Sequence, residues 1–444
     1  MKKLLSLVLT VILCASVLAA CGSQPSSGDS APSGDAGTTA ATSGDVPASI
    51  KVGVINPTTG PLALMSEGTP YLDEYFRDYV NNELGGIYIS DYDATLPIEL
   101  VIYDSASNSD KSAEMTTKLI TEDKVDVILV RHVPDNVVPA TVVAEQYGVP
   151  IIGMDCPAEA WIGTMDEHVW SFVVHANGES YWNAYKSTWE SAGYGPGQPD
   201  SKLGWVFGND LDGTVLAPTY KVQAEADGYE VLDPGLYSAG TNDYSSLIKQ
   251  FKDANIEVLF GVMTNPEFAT FWTQCLQLDF KPNIVTFGKA FMLESQAEAI
   301  GTEIMDGICN EVWWDVRFPY ASDLMGVTAA EFGDEFYAAT GLKAASPQGA
   351  KFTSYEILID SLMRCANLEP ETIRDAIRAF DRETIMGPVK FDSYTANYCP
   401  TAVVGGQWQL QEDGTLSQEI ISNPDPSNGI EVTAKIKTSG RAWE

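Results

Sequence analysis

The stretch Trp205 to Pro218, WVFGNDLDGTVLAP, carries two carboxylates, Asp210 and Asp212, one residue apart behind an apolar run. Acids in this spacing can share a phosphoryl transfer, the first attacking phosphorus and the second serving as general acid and base. The same letters describe a strand, a polar loop and a helix start beside a ligand cleft, because Asn, Asp and Gly are residues of turns and caps. Which chemistry applies depends on the elements that hold them.

From Ile50 onward those elements alternate. IKVGVI, IELVIYD, VDVILV and VPIIGM are separated by helical patterns over 67–82, 110–124 and 136–147. WSFVV, KLGWVFG, YEVLDPGLY, EVLFGVM and NIVTFG follow, with helical patterns over 179–191, 214–227, 244–255 and 266–278. Strand and helix in strict alternation predict an α/β fold with parallel sheets. The length from residue 50 onward is more than one core usually organises, so two lobes are expected. After Ile308 to Trp314, the helical patterns over 328–340, 349–366 and 371–380 lack comparable strands between them, and GPVKFD and GGQWQLQ close the chain.

The N-terminus reads MKKLLSLVLTVILCASVLAACGSQ, in which Lys2 and Lys3 precede an apolar run to Ala20. This is the pattern of a secretory signal peptide over 1–20, too short for a mature span. Leu18-Ala19-Ala20-Cys21-Gly22 resembles a bacterial lipobox, which implies lipid on Cys21. Residues 21–49, rich in Gly, Ser, Ala, Thr and Pro, then form a tether with a reach of roughly 30 Å. The expected place is the outer face of the bacterial cytoplasmic membrane, with that lipid as the attachment.

A formal net charge of −35 excludes nucleic acid as a partner. With three histidines in the chain and no zinc-like cysteine spacing, no metal is expected. The internal cysteines Cys156, Cys275, Cys309, Cys365 and Cys399 read as small buried hydrophobes, with room for one disulfide. GxSxG, HExxH and GxxxxGK[ST] do not occur, and Gly193, Gly195 and Gly197 follow a helix, the reverse of a dinucleotide fingerprint. No catalytic residue and no cofactor are assigned.

IKVGVINPTTGPLA, YDSASNSDKSAEMTTKLITEDKVDVILV, PATVVAEQYGVPII, DFKPNIVTFGKAF and IMGPVKFD occur in this order. Together they resemble the substrate-binding proteins of branched-chain amino acid-type ABC importers, from Ile50 to about Trp408. The resemblance implies a type I periplasmic-binding-protein fold, two Rossmann-like lobes joined by three crossovers near Val174, Asn310 and Ile385. Lobe 1 is then 50–174 with 311–384, and lobe 2 is 175–310 with 385–444. It implies a monomer that captures a small-molecule solute by hinge closure and delivers it to permease subunits. An extracellular phosphatase of the haloacid dehalogenase type, the family that DLDGT resembles, is the alternative; there the nucleophile stands directly at the strand end, whereas Gly208 and Asn209 intervene here. A ligand-sensing binding protein without transport shares the fold.

In open parallel sheets ligands sit at the carboxyl ends of the strands. The loops there nominate Thr59, Gly60, Arg131, His132, Asp135, Asp155 and Cys156 from lobe 1, and His175, Asn177, Asn209, Asp210, Asp212, Thr264, Asn265 and Lys289 from lobe 2. Amino-acid binders of the family place hydroxyl residues in two of the lobe 1 loops and an acid after the NIVTFG-type strand. This chain has RHVPDN, MDCPAE and GKAF there, which departs from an ordinary amino acid. Arg131 and Lys289, from opposite lobes, point to a carboxylate-bearing, amino-acid-like or aromatic solute. Asp135, Asp155, Asp210 and Asp212 could instead neutralise them, leaving a pocket for a neutral or zwitterionic solute. Trp161, Trp182, Trp313 and Trp314 are candidate stacking faces, with at most one of the last two in the cleft, since neighbours on a strand point to opposite sides.

Mass spectrometry of the native N-terminus is expected to find diacylglycerol-modified Cys21 as the first residue. An unmodified Cys21, or cleavage elsewhere, refutes the anchor.

Overall fold

A computed structural model describes residues 46–391 and 396–444. The signal peptide, Cys21 and the tether as far as residue 45 lie outside the described residues.

The Val- and Ile-rich runs form the strands of two main sheets. In the first, the order is Tyr398–Cys399, Ser171–Val174, Ile151–Met154, Val127–Val130, Ile50–Asn56, Ile98–Asp104, all parallel. In the second it is Leu416–Ser422, Val404–Leu410, Cys309–Val312, Ile284–Gly288, Val258–Val262, Leu203–Phe207, Val231–Leu232. Here the strands from Cys309–Val312 onward along that order are parallel, and the late hairpin of Val404–Leu410 and Leu416–Ser422 adds antiparallel to the edge. Strands covered on both faces read as continuous apolar runs. VILV, IIGM, LGWVF, VLFGV and IVTFG are buried at every position.

The chain passes between the sheets after Val174, after Val312 and between Cys399 and Val404. The third passage comes later than Ile385, because Tyr398–Cys399 first adds an edge strand to the first sheet, within a span that the sequence assigns to lobe 2. Helix Gly178–Ser191 packs on the hairpin side of the second sheet. Helix Ser346–Met363 returns to the first, against Ile151–Met154 and helix Thr69–Asp78. One apolar cluster runs through both sheets. The five internal cysteines are buried free thiols.

The DLDGT segment starts helix Leu211–Asp227. Asp210 is its N-cap, accepting from the Gly213 N–H at 2.8 Å. A Cβ on Gly213 would stand 1.7 Å from the Gly208 carbonyl oxygen, so the strand-to-helix turn closes only around glycine. Gly213→Ala is expected to destabilise the protein by about 2–3 kcal/mol in urea denaturation, the scale of forced overpacking.

Candidate functional site

The carboxyl ends of the two sheets line a common cavity that opens to solvent. Val133, Pro134, Asp155 and Pro157 reach it from loops of the first sheet, with Met65. Asp212, Leu216, Val262, Gly288, Lys289, Met292, Glu311 and Trp313 reach it from the second, together with Tyr181, Tyr185 and Tyr220 from helices Gly178–Ser191 and Leu211–Asp227, and His175 from the first passage. His132, Val133, Asp155 and Lys289 hold φ between 61 and 69°, left-handed backbone that ordinary residues avoid. Such strain gathers where a site requires a loop to turn sharply.

The second-sheet wall is built around Lys289. Its ammonium donates to Asp210 at 2.9 Å and to Asp212 at 2.7 Å, and its backbone N–H donates to Glu311 at 2.9 Å. Burial would lower this lysine, but Asp212, Asp210 and Asp135 outweigh it and raise the pKa, so Lys289 stays charged. Carboxylate oxygens of Asp135, Asp210 and Asp212 lie within 4.8 Å of one another, a spacing that could hold a metal ion; the ammonium of Lys289 already sits on two of the three. Burial pushes Glu311 up to about 7, against the donors Lys289 N–H and Tyr185 hydroxyl, the latter at 2.9 Å. Burial likewise pushes His175 down to about 4 against the charge of Asp155, leaving a neutral ring whose Nε2 pairs with the Tyr181 hydroxyl at 2.6 Å.

The family description "Periplasmic binding protein" matches residues 49–404. The chain belongs to the periplasmic binding proteins. "Leu/Ile/Val-binding protein homolog 8" of Brucella abortus is 26% identical over 383 residues, covering 83% of this chain and 90% of the relative. Two solved structures share the fold. The branched-chain amino acid transporter substrate-binding protein of Streptococcus pneumoniae, in complex with isoleucine, has a TM-score of 0.68 at 17% identity, covering 84% of this chain and 99% of that one. A solute-binding protein of an ABC transporter from R. palustris, in complex with 4-hydroxybenzoate, has a TM-score of 0.67 at 17% identity, covering 84% and 96%. These relatives are binding proteins, not enzymes, and the family places this chain outside the cytoplasm. Among the described residues no helix is long and apolar enough to cross a membrane.

In this binding protein, Asp155, His175, Asp212, Lys289 and Trp313 line the cavity. Asp135, Asp210 and Thr264 line the outer cleft that shares Lys289 with it. The other nominated residues do structural work. Thr59 is exposed and donates to Asp104 at 2.6 Å, with Gly60 in the same exposed turn. Arg131 is fully buried and donates to Asn56. His132 and Cys156 are buried off the wall. Asn177 caps its helix by accepting from Ser180 N–H at 2.8 Å, Asn209 is exposed, and Asn265 donates to the Gln296 carbonyl at 3.3 Å. The two cations therefore do not form an anion seat across the cleft. Arg131 lies off the wall, and Lys289 is matched by Asp210 and Asp212, the neutralised arrangement.

Trp313 faces the cavity, whereas Trp314 turns away and donates to the Ile385 carbonyl at 2.6 Å. Trp161 packs on His168, and Trp182 donates to Asp227 at 2.7 Å; neither reaches the cavity. The sequence reading missed Tyr181, Tyr185, Tyr220 and Glu311. Tyr181 and Tyr185 are spaced i, i+4 on one helix face, but spacing does not say which face meets the cleft. The acid in NEVWW, set among apolar residues of a buried strand, was the signal for Glu311.

Because Glu311 rises from 4.5 to about 7 on folding, the folded chain between those values holds a proton the unfolded chain has lost. This group thus adds stability as pH falls toward 4.5 and costs stability above 7. Glu311→Gln, whose amide the Tyr185 hydroxyl can accept from, is expected to raise the unfolding free energy of the solute-free protein at pH 8 by on the order of 2–3 kcal/mol. The gain should vanish below pH 4.5, as read by urea unfolding at several pH values.

Proposed function

We propose that this protein captures a small polar organic solute of amino-acid size outside the cytoplasm and delivers it to the permease subunits of an ABC importer. The observation that carries this reading is the cavity between the two sheets, lined from both sides by polar and aromatic side chains. The ligands named for the two solved relatives, isoleucine and 4-hydroxybenzoate, are solutes of about amino-acid size.

In this reading a lobe forms around each sheet, the three passages are the hinge, and the protein works as a monomer held to the membrane by lipid on Cys21. Closure brings Asp155, Pro134 and Pro157 against Lys289, Glu311 and Trp313 and excludes water. Contacts already bridge the cleft: the Gly178 N–H donates to Glu159 at 2.8 Å, and helix Ala158–Ile162 packs on helix Leu211–Asp227. The phosphatase reading is not favoured, since both oxygens of Asp210 are committed, one to the Gly213 N–H and the other to Lys289.

A thermal-shift screen of amino acids, amines, organic and aromatic acids, sugars and polyols tests the proposal. A true solute at 100 times its Kd adds about 2.7 kcal/mol to the folded state, a clear rise in Tm. Trp313 fluorescence should report the same saturation at one site per chain. Magnesium-dependent phosphate release from an ester panel, lost in Asp210→Asn, would instead make the protein a phosphatase.

A further inference from the structure

We infer that the cavity is built for a small organic cation, an ammonium-bearing solute that needs no carboxylate; this deepens the solute-capture reading and rests on it. Three independent features of the lining carry the inference.

The first is that the first-sheet wall presents no cationic side chain and sets a proline at each of its two helix starts. Helix starts usually offer free amide N–H groups to an anion. Here Pro134 is the first residue of helix Pro134–Tyr147 and Pro157 is the N-cap of helix Ala158–Ile162, and both line the cavity. Proline has no N–H to give. The rest of that wall is Met65, Val133 and Asp155.

The second is a surplus of carboxylates on the lining. Asp155 is 4% exposed, and its close side-chain partner is the buried His132, whose Nδ1 lies 2.9 Å from one carboxylate oxygen. A buried carboxylate is costly unless donors or an opposite charge reach it. His175, also on the wall, has an unpartnered Nδ1. On the facing wall the charge of Lys289 is already matched twice, by Asp210 and Asp212, with Glu311 buried beside them. Among the lining side chains Asp155 and Asp212 thus stand against Lys289 alone, with Glu311 beside them able to release its proton, and a positive solute restores the balance.

The third is aromatic. Tyr185 and Tyr220 meet edge to face, with centroids 6.0 Å apart and an interplanar angle of 87°. Tyr181 lies 6.1 Å from Tyr185, and Trp313 stands at 83° to the His175 ring. Rings set at mixed angles around one small volume present electron-rich faces, the surroundings in which an organic ammonium gains cation–π attraction after losing its water.

Calorimetry on the soluble chain tests the inference with probes matched in shape and differing in charge. The cations are choline, isopentylamine and tyramine, the anions isovalerate and 4-hydroxybenzoate, the zwitterion leucine and the neutral probe isopentanol. A cation is expected to bind at least 100-fold more tightly than any anion. Glu311→Gln and Asp155→Asn should each weaken it tenfold or more, and Trp313→Leu, which keeps an apolar side chain there, should lower the preference for cations over isopentanol. An anion or leucine as the tightest probe overturns the inference while leaving solute capture intact. So does cation binding unchanged in all three variants. Silence from every probe overturns the inference and counts against solute capture as well.

Discussion

The buried ammonium of Lys289, held between Asp210 and Asp212, is the constraint on which the cleft depends. Its side chain is 7% exposed and that of Asp212 is 5% exposed, so neither ion can be left alone without a large desolvation cost. The partners come from different strand ends. Asp210 and Asp212 follow strand Leu203–Phe207, Lys289 follows Ile284–Gly288, and Glu311, which accepts the Lys289 backbone N–H, lies on Cys309–Val312. One lysine thus links the ends of three strands of the second sheet, reaching past Val258–Val262, and the start of helix Leu211–Asp227. Gly288 completes the junction, because a Cβ there would meet the Tyr185 hydroxyl at 2.6 Å and break the approach of Tyr185 to Glu311.

The first sheet has a counterpart below its wall. Lys351 pairs with Asp73 at 2.6 Å, and Tyr355 donates to the same carboxylate at 2.7 Å. Arg131 lies in the field of Asp73 and donates to Asn56. This network joins helix Ser346–Met363, supplied late in the chain, to helix Thr69–Asp78, supplied early. Being fully buried, it ties those elements into one body. The polar contacts across the cleft are lighter. Ser295 with Glu67 and Lys343 with Glu294 include partly or fully exposed groups, and exposed ion pairs contribute little.

These clusters also explain why charge on the page of the sequence misleads. Arg131, His132, Asp155, Asp210, Asp212 and Lys289 all follow strands, and each looks equally able to meet a solute. Internal pairing removes some from that role, burial removes others, and Asp155 stays on the cavity wall with the buried His132 as its close partner.

The amino-acid order by itself determined the fold class, since apolar runs too uniform for half-exposed strands, separated by helical patterns, leave little but parallel sheets covered on both faces. The spacing of Asp210 from its strand also favoured a turn and cap at DLDGT over a phosphatase nucleophile, and the hydrogen bond from Gly213 N–H to Asp210 shows the cap. The amino-acid order did not determine the third passage, because the two-residue strand Tyr398–Cys399 is too short to carry a pattern and exists only through its pairing with Ser171–Val174. Nor did it determine the lining. Tyr181, Tyr220, Glu311 and Asp155 are far apart in the chain, and the pairing of Lys289 with Asp210 spans 79 residues. Which carboxylates are neutralised and which face a void is decided by distances that arise only when two sheets meet, and those distances set the charge of the cavity.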